Sequence, residues 1–241
     1  GETDDHSWVY CPEKEVLCTG DFFISMAPNP GNPQKVQRYP WEWAEALREM
    51  AELEPAHLCP GHGQQVVDDP EGIQDRLLST AAYLEQIVEE TIAALNDGSP
   101  PHVDVVHAVD YPEPEEPWLE EIYDEGEFIA RNVIRYYGGW WTGRPSELKP
   151  AERGAVASEI AALADGPAEL AARARHLAQD DRYRLACHLA DYALEAAPDD
   201  ESVQAAVVDV YEARAERAES LMAANLFHSA AAYAADGRPF R

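Results

Sequence analysis

Residues 7–24 read SWVYCPEKEVLCTGDFFI, and their pattern decides the class of fold. Two β-prone runs, 7–11 and 15–18, flank Pro12, Glu13 and Lys14, which is the signature of a hairpin. A third apolar run, 22–24, follows the turn Thr19-Gly20-Asp21 and is expected to extend the strand layer. Beyond a loop marked by Pro28, Pro30, Gly31 and Pro33, residues 40–53 carry Trp43, Ala46, Leu47, Met50 and Leu53 at helical spacing, with Pro40 near the first turn. His57-Leu58-Cys59 is a brief strand ending in Pro60-Gly61-His62-Gly63. The order β-β-β-α-β indicates an α/β layer rather than a bundle.

Past Asp68-Asp69-Pro70 the pattern turns helical. Residues 73–95 are amphipathic, with Leu77, Leu78, Ala81, Leu84, Ile87, Val88 and Ile92 on one face. Residues 98–117 hold five prolines and cannot be one helix, although the segment 102–109 suits a short one. A helix near 125–137 precedes Gly138-Gly139-Trp140-Trp141, and 151–234 is Ala-rich and helical, broken at Gly166-Pro167 and at Ala197-Pro198-Asp199-Asp200. The expected class is α+β: a mixed layer over 1–70, then an all-α part over 71–241.

The chain has 241 residues, with 46 acidic against 18 basic side chains and a formal charge of −28. That charge excludes a generic nucleic-acid binder, whose affinity rests on Lys and Arg displacing counterions, and it disfavours anionic membranes. Lys14, Lys35 and Lys149 are the only lysines. An acidic, lysine-poor surface suits a protein working at high salt, where repulsion is screened; a GC-rich genome explains the lysines but not the charge. At 46% apolar the chain has enough core formers to fold. Cys11, Cys18, Cys59 and Cys187 are too scattered for a disulfide scaffold and read as buried thiols. No run approaches the ~18 apolar residues of a membrane span, and no signal peptide is visible, so a cytoplasmic location is expected. The chain opens at Gly1 without an initiator Met on residues that read as mid-fold, and an upstream segment is expected.

Three turns within the first 63 residues bear on chemistry: Glu2-Thr3-Asp4-Asp5-His6, Thr19-Gly20-Asp21 and Pro60-Gly61-His62-Gly63. A carboxylate at a strand end beside glycine is held rigidly with its backbone open to close approach, which suits a metal ligand. Taken singly each turn has a plain structural account, Asp21 as a turn residue accepting a backbone hydrogen bond and His62 as a surface histidine. Their combination is more specific. It resembles the C-terminal half of the metallo-β-lactamase-fold hydrolases, where a His-Thr-x-Asp-type turn, a Thr-Gly-Asp strand end and a Gly-His turn each donate a metal ligand.

Glu2 stands where that pattern usually has histidine, and this resembles the alkyl sulfatase branch, although Asp21 replaces the glutamate common there at the bridging position. Residues 121–150, and above all Tyr137 to Pro150, resemble the alkyl sulfatase dimerisation domain. The resemblance implies a partial αββα layer followed by an all-α dimerisation domain, a homodimer, and a binuclear zinc site, with manganese as an alternative metal. Glu2, Asp21 and His62 are then ligands, Asp21 the bridging one on which catalysis turns, and His6 is not a ligand but a support to them or a hydrogen-bonding core histidine. It further implies a small anionic ester substrate, met by Asn29, Lys35 and Arg38 on the proline-rich loop and by Tyr123 from the helical part. The upstream His-x-His-x-Asp-His motif of that branch occurs nowhere in the chain, so the isolated polypeptide is expected to bind zinc weakly and to lack turnover. Lactone, phosphodiester and thioester hydrolases share the ligand set, and a helical interaction module without chemistry is the competing class. Without the resemblance, 168–234 reads as tetratricopeptide-like hairpins. The six tryptophans are expected mainly in the core, with Trp140-Trp141 at the dimer interface; His102, His107, His176, His188 and His228 are not read as ligands, and the acidic run Glu113 to Glu127 is taken as a solvated face.

Overall fold

The structure is a computed structural model describing residues 1–98 and 104–240, so His102 and the start of segment 102–109 lie outside the described residues. Two compact units divide the chain, Gly1–Arg144 and Pro145–Arg241.

In the first unit, β1 (Val9–Cys11) and β2 (Val16–Gly20) form the expected antiparallel hairpin. β3 (His57–Pro60) runs parallel to β2, and β4 (Val66–Val67) closes the sheet in the order β1-β2-β3-β4. Residues 22–24 are not a strand. Phe22, Phe23 and Ile24 are all buried, so they lack the alternation of a half-buried strand, and the Phe22 and Phe23 carbonyls accept from the Trp43 indole and the Gly61 amide instead of a ladder partner.

α1 (Pro40–Ala51) starts on a proline whose missing N–H costs nothing at that position, and it buries Trp43, Ala44, Leu47 and Met50. α2 (Pro70–Asn96) is capped by Asp69, whose carboxylate accepts from the Gly72 amide. Its stripe of Ile73, Leu77, Ala81, Leu84 and Ile87 shares one core with Leu17, Trp43 and Leu58, whereas Leu78, one position round the helix from Leu77, is 38% exposed. A 3-10 turn at Val105–His107 and α3 (Gly126–Gly138) complete this unit, with Ile129, Ala130 and Ile134 in the same core. α2 and α3 thus pack into the core of the mixed layer.

The second unit holds α4 (Pro145–Leu148), α5 (Arg153–Leu163), α6 (Pro167–Gln179), α7 (Tyr183–Ala196), α8 (Glu201–Ala215) and α9 (Leu221–Ala235). Ala186, Ala190 and Ala193 on α7 are fully buried, small residues that let helix axes approach closely. Besides the two expected breaks, the chain turns at 180–182 and 216–220. Neither carries Pro or Gly; Asp181 takes φ 57°, a left-handed conformation that Asp tolerates, and Ser220 caps α9 through the Ala223 amide.

Two composition-based expectations change. Cys18 is exposed and the other cysteines are half-buried, all four as free thiols. The run Glu113 to Glu127 is not wholly solvated: Asp124 is fully buried, and Glu121 accepts from the Tyr83 hydroxyl at 2.7 Å and the Gly126 amide at 2.8 Å.

Candidate active site

Because β2 and β3 are parallel, their C-terminal ends fall side by side, with Gly20 opposite Pro60. The residues that follow, Asp21 and His62, therefore project from one sheet edge, Asp21 Oδ1 lying 3.5 Å from His62 Nε2. The Gly61 amide donates to the Gly20 and Phe23 carbonyls at 2.8 and 3.1 Å and ties the two turns together. A Cβ at Gly61 would lie 2.1 Å from Asp21 Oδ1 and 2.6 Å from the Gly20 carbonyl carbon, so any side chain there would displace the carboxylate.

Glu2 is engaged elsewhere. Its Oε1 accepts from Asn29 Nδ2 at 2.7 Å and from the Arg38 guanidinium at 2.9 Å. Arg38, only 4% exposed, also donates to the Asn29 carbonyl, while Asn29 Oδ1 and Arg38 Nε are buried without a partner. His6 accepts the Glu2 amide on Nδ1 at 2.9 Å and stacks on Phe22 at 4.3 Å. Burial pushes its imidazole pKa down, against the Asp21 and Glu2 carboxylates, which raise it. Lys35 is exposed, its carbonyl accepting from Arg135 at 3.4 Å, and Tyr123 is 36% exposed on the segment leading into α3.

Sequence reasoning missed what holds the proline-rich loop in place. Asp124 accepts the Gly31 amide at 2.6 Å and the Glu125 amide at 2.9 Å, and Asn132 donates to the carbonyls of Pro30 and Arg38 at 2.7 and 2.8 Å. Gly31 permits this approach, since a Cβ there would stand 2.5 Å from the Ile129 nitrogen. The signal for Asp124 was hidden among neighbouring acids; the legible cue was Gly31 between two prolines.

Burial pushes the Asp124 carboxyl up to about 7, against the two amides that lower it. A folded-state pKa raised above the usual 3.8 means that the folded chain holds a proton the unfolded chain has released. This contribution to stability is full below pH ~4 and is lost as pH rises through about 7. Stability is expected to fall in the wild type relative to Asp124→Asn by roughly 1.4 kcal/mol per pH unit between pH ~4 and about 7, and to level off above it. Parallel pH profiles for the two proteins would disprove the assignment.

Carboxylate and imidazole donors suit zinc or manganese, yet a catalytic zinc centre takes about three protein ligands. Asp21 and His62 provide two that face each other, and the Glu2 carboxylate is drawn to Asn29 and Arg38. Among the described residues no group of three or more His, Cys, Asp or Glu is placed to hold a metal ion. The described residues alone thus do not fit a complete binuclear centre.

The chain thus joins a mixed four-stranded sheet, with Asp21 and His62 at the ends of neighbouring strands, to an Ala-rich helical unit. A family model for alkyl sulfatase dimerisation matches residues 102–237, more than half of the chain, and the chain belongs to that family. Linear primary-alkylsulfatase from Pseudomonas sp. is 25% identical over 207 residues, which are 83% of this chain and 38% of that protein. Two solved structures share the fold with a TM-score of 0.86. A double mutant of the sec-alkyl sulfatase PisA1 is 19% identical over 97% of this chain, and the stereoselective inverting sec-alkylsulfatase Pisa1 from Pseudomonas sp. is 20% identical over 96%. The chain spans 38% and 37% of those two chains. Among the described residues no helix is long and apolar enough to cross a membrane.

Proposed function

We propose that this chain supplies the C-terminal share of a metal-dependent sulfate-ester hydrolase of alkyl sulfatase type, together with the helical part through which two copies pair. The observation that carries the reading is the approach of Asp21 to His62 across the joined turns at Gly20 and Gly61, with Glu2 one hydrogen bond from Asn29. In this reading Glu2, Asp21 and His62 would hold the metal, Asp21 being the carboxylate on which catalysis turns. A bound pair of zinc or manganese ions would supply a hydroxide at near-neutral pH. Asn29 and the exposed Lys35 meet the sulfate head, Arg38 holds Asn29 against Glu2, and Tyr123 approaches from the helical side. The helical domain of the proposed enzyme begins in sequence near residue 71. An acidic, lysine-poor surface suits a cytoplasm of high salt.

The test uses the chain alone and the chain fused behind a relative's segment carrying His-x-His-x-Asp-His, assayed on dodecyl sulfate, a lactone and a bis-nitrophenyl phosphate. The fused protein is expected to release sulfate in a zinc-dependent manner and the chain alone to release none. Tight stoichiometric zinc with turnover by the chain alone would overturn the division of ligands, and a fused protein that hydrolyses only the lactone or the phosphodiester would overturn the substrate class. The competing reading is a dimerising module without chemistry. A fused protein that is dimeric but inactive on all three esters would establish it.

A further inference from the structure

Cys18 on β2 and Cys59 on β3 are register partners in the parallel pair. Leu17 and Leu58, one residue earlier in each strand, are fully buried in the core, so the alternation of a strand turns both cysteines to the opposite face of the sheet. There the two thiols hydrogen-bond to each other. Their surroundings are open: Cys18 is exposed, Cys59 is half-buried, and Val9 and Val67 on the same face are 63% and 62% exposed. Neither thiol takes part in the chemistry proposed above, and nothing local in the sequence couples them.

We propose that Cys18 and Cys59 form a redox-active dithiol, which a small disulfide of the glutathione type converts to an intrachain disulfide across β2 and β3. Neighbouring strands stand about 4.8 Å apart, inside the Cα separation of about 4.4–6.8 Å that a disulfide bridges. Cys11 does not compete. It pairs with Val16 and so lies diagonal to Cys18, and its thiol donates to Glu13 at 3.5 Å. Diagonal neighbours stand about 7–8 Å apart, beyond that reach. Burial holds the Cys187 thiol up at about 12, where it stays unreactive near neutral pH. In the first step Cys18 gives up its proton and its sulfur attacks one sulfur of the small disulfide, whose S–S bond breaks and whose other half leaves as a thiolate. The Cys59 thiolate then attacks Cys18 Sγ, and the second half leaves likewise. Two protein thiols are thus oxidised, one small disulfide is reduced to two thiols, and the two protons pass to them. Burial, and after it the Cys59 thiol, pushes Cys18 above the ordinary thiol range, so it rests protonated at neutral pH and the attack draws on a minor thiolate fraction. The bond fastens the two strands three residues before Asp21 and His62, on the ends that bring those side chains together.

The full chain is incubated with oxidised glutathione, then unfolded, alkylated and digested for mass spectrometry, beside Cys11→Ser, Cys18→Ser and Cys59→Ser. The wild type and Cys11→Ser are expected to yield two peptides joined through Cys18 and Cys59, with Cys187 alkylated. Cys18→Ser is expected to halt at a glutathione adduct on Cys59, and Cys59→Ser at one on Cys18. The wild type should hold roughly ten-fold less of either adduct, because the neighbouring thiol resolves it. Oxidised wild type is also expected to unfold at a higher urea midpoint than the reduced protein, a shift absent from those two variants, since the bond closes the chain between residues 18 and 59 in the unfolded state. A wild type that keeps the same stable adducts, or that links Cys18 to Cys11 or to a second chain, overturns the pair. So does a wild type whose Cys18 and Cys59 both remain open to alkylation under conditions that modify Cys18 in Cys59→Ser. A linked protein whose urea midpoint falls shows a bond made by disrupting the strands, and refutes the native pair as well.

Discussion

Arg38→Leu is expected to lower the stability of the first unit by about 3 kcal/mol or more, the scale for removing one partner of a largely buried ion pair. Arg38 is the cation that Glu2 faces and the donor to the Asn29 carbonyl, and it is only 4% exposed. Leucine would leave both acceptors without their guanidinium in a place where water reaches only in part. The Glu2 side chain is 27% exposed, so hydration recovers some of the loss and sets the expectation at the lower end of the range. Glu2→Gln should cost less, because the amide oxygen still accepts from Asn29 and Arg38. Urea unfolding followed by tryptophan fluorescence measures both, and hydrogen exchange of the Gly31 amide reports whether the loop loosens. A loss under about 1 kcal/mol for Arg38→Leu would place the pair in the class of surface ion pairs and remove it as the clamp of the loop.

What the sequence disclosed and what it hid divide along locality. α1 was legible because Trp43, Leu47 and Met50 recur at the helical period behind Pro40, and all three are fully buried. The Asp21–His62 approach was legible because each residue follows a glycine turn at a strand end, and parallel pairing of β2 and β3 converts two local motifs into one edge. The strand expected at 22–24 failed because a short apolar run has no period, and burial from an indole and a neighbouring turn won over the ladder. The engagement of Glu2 by Arg38 and the hold of Asp124 on Gly31 were hidden, since both join residues remote in sequence that no local pattern couples. Leu78 shows the same limit on a smaller scale: it shares the apolar composition of its stripe but not its face.

The seam between the proline-rich loop and α3 belongs to this second group, with one difference. Residues 22–41 and 128–146 are each plain in the sequence as a run without Asp or Glu, and only the fold reveals that Asn132 and Tyr136 set one upon the other. Asn132, which holds the Pro30 and Arg38 carbonyls on either side of this loop, and the Tyr39–Tyr136 contact thus tie the loop to α3. A perturbation of α3 is therefore expected to reach the proline-rich loop, through Asn132 and Tyr136.

Trp43→Ala is expected to cost about 3–5 kcal/mol, the range for truncating a fully buried large aromatic. Trp43 does more than fill space. Its indole donates to the Phe22 carbonyl at 2.9 Å and its ring meets Phe22 edge to face at 5.7 Å, so it pins the residue next to Asp21. Trp43→Phe separates the two roles: much of the packing survives, but the Phe22 carbonyl loses its donor inside the core, a loss of about 1–3 kcal/mol. Both variants should speed hydrogen exchange of the Gly61 amide, which is held by the Gly20 and Phe23 carbonyls on either side of the pinned turn. The alanine variant should also unfold at a markedly lower urea midpoint than the phenylalanine variant. If Trp43→Ala destabilises the fold while Gly61 exchange relative to global unfolding stays as in the wild type, Trp43 is a core filler and the geometry of Asp21 and His62 is set by the strand ends alone.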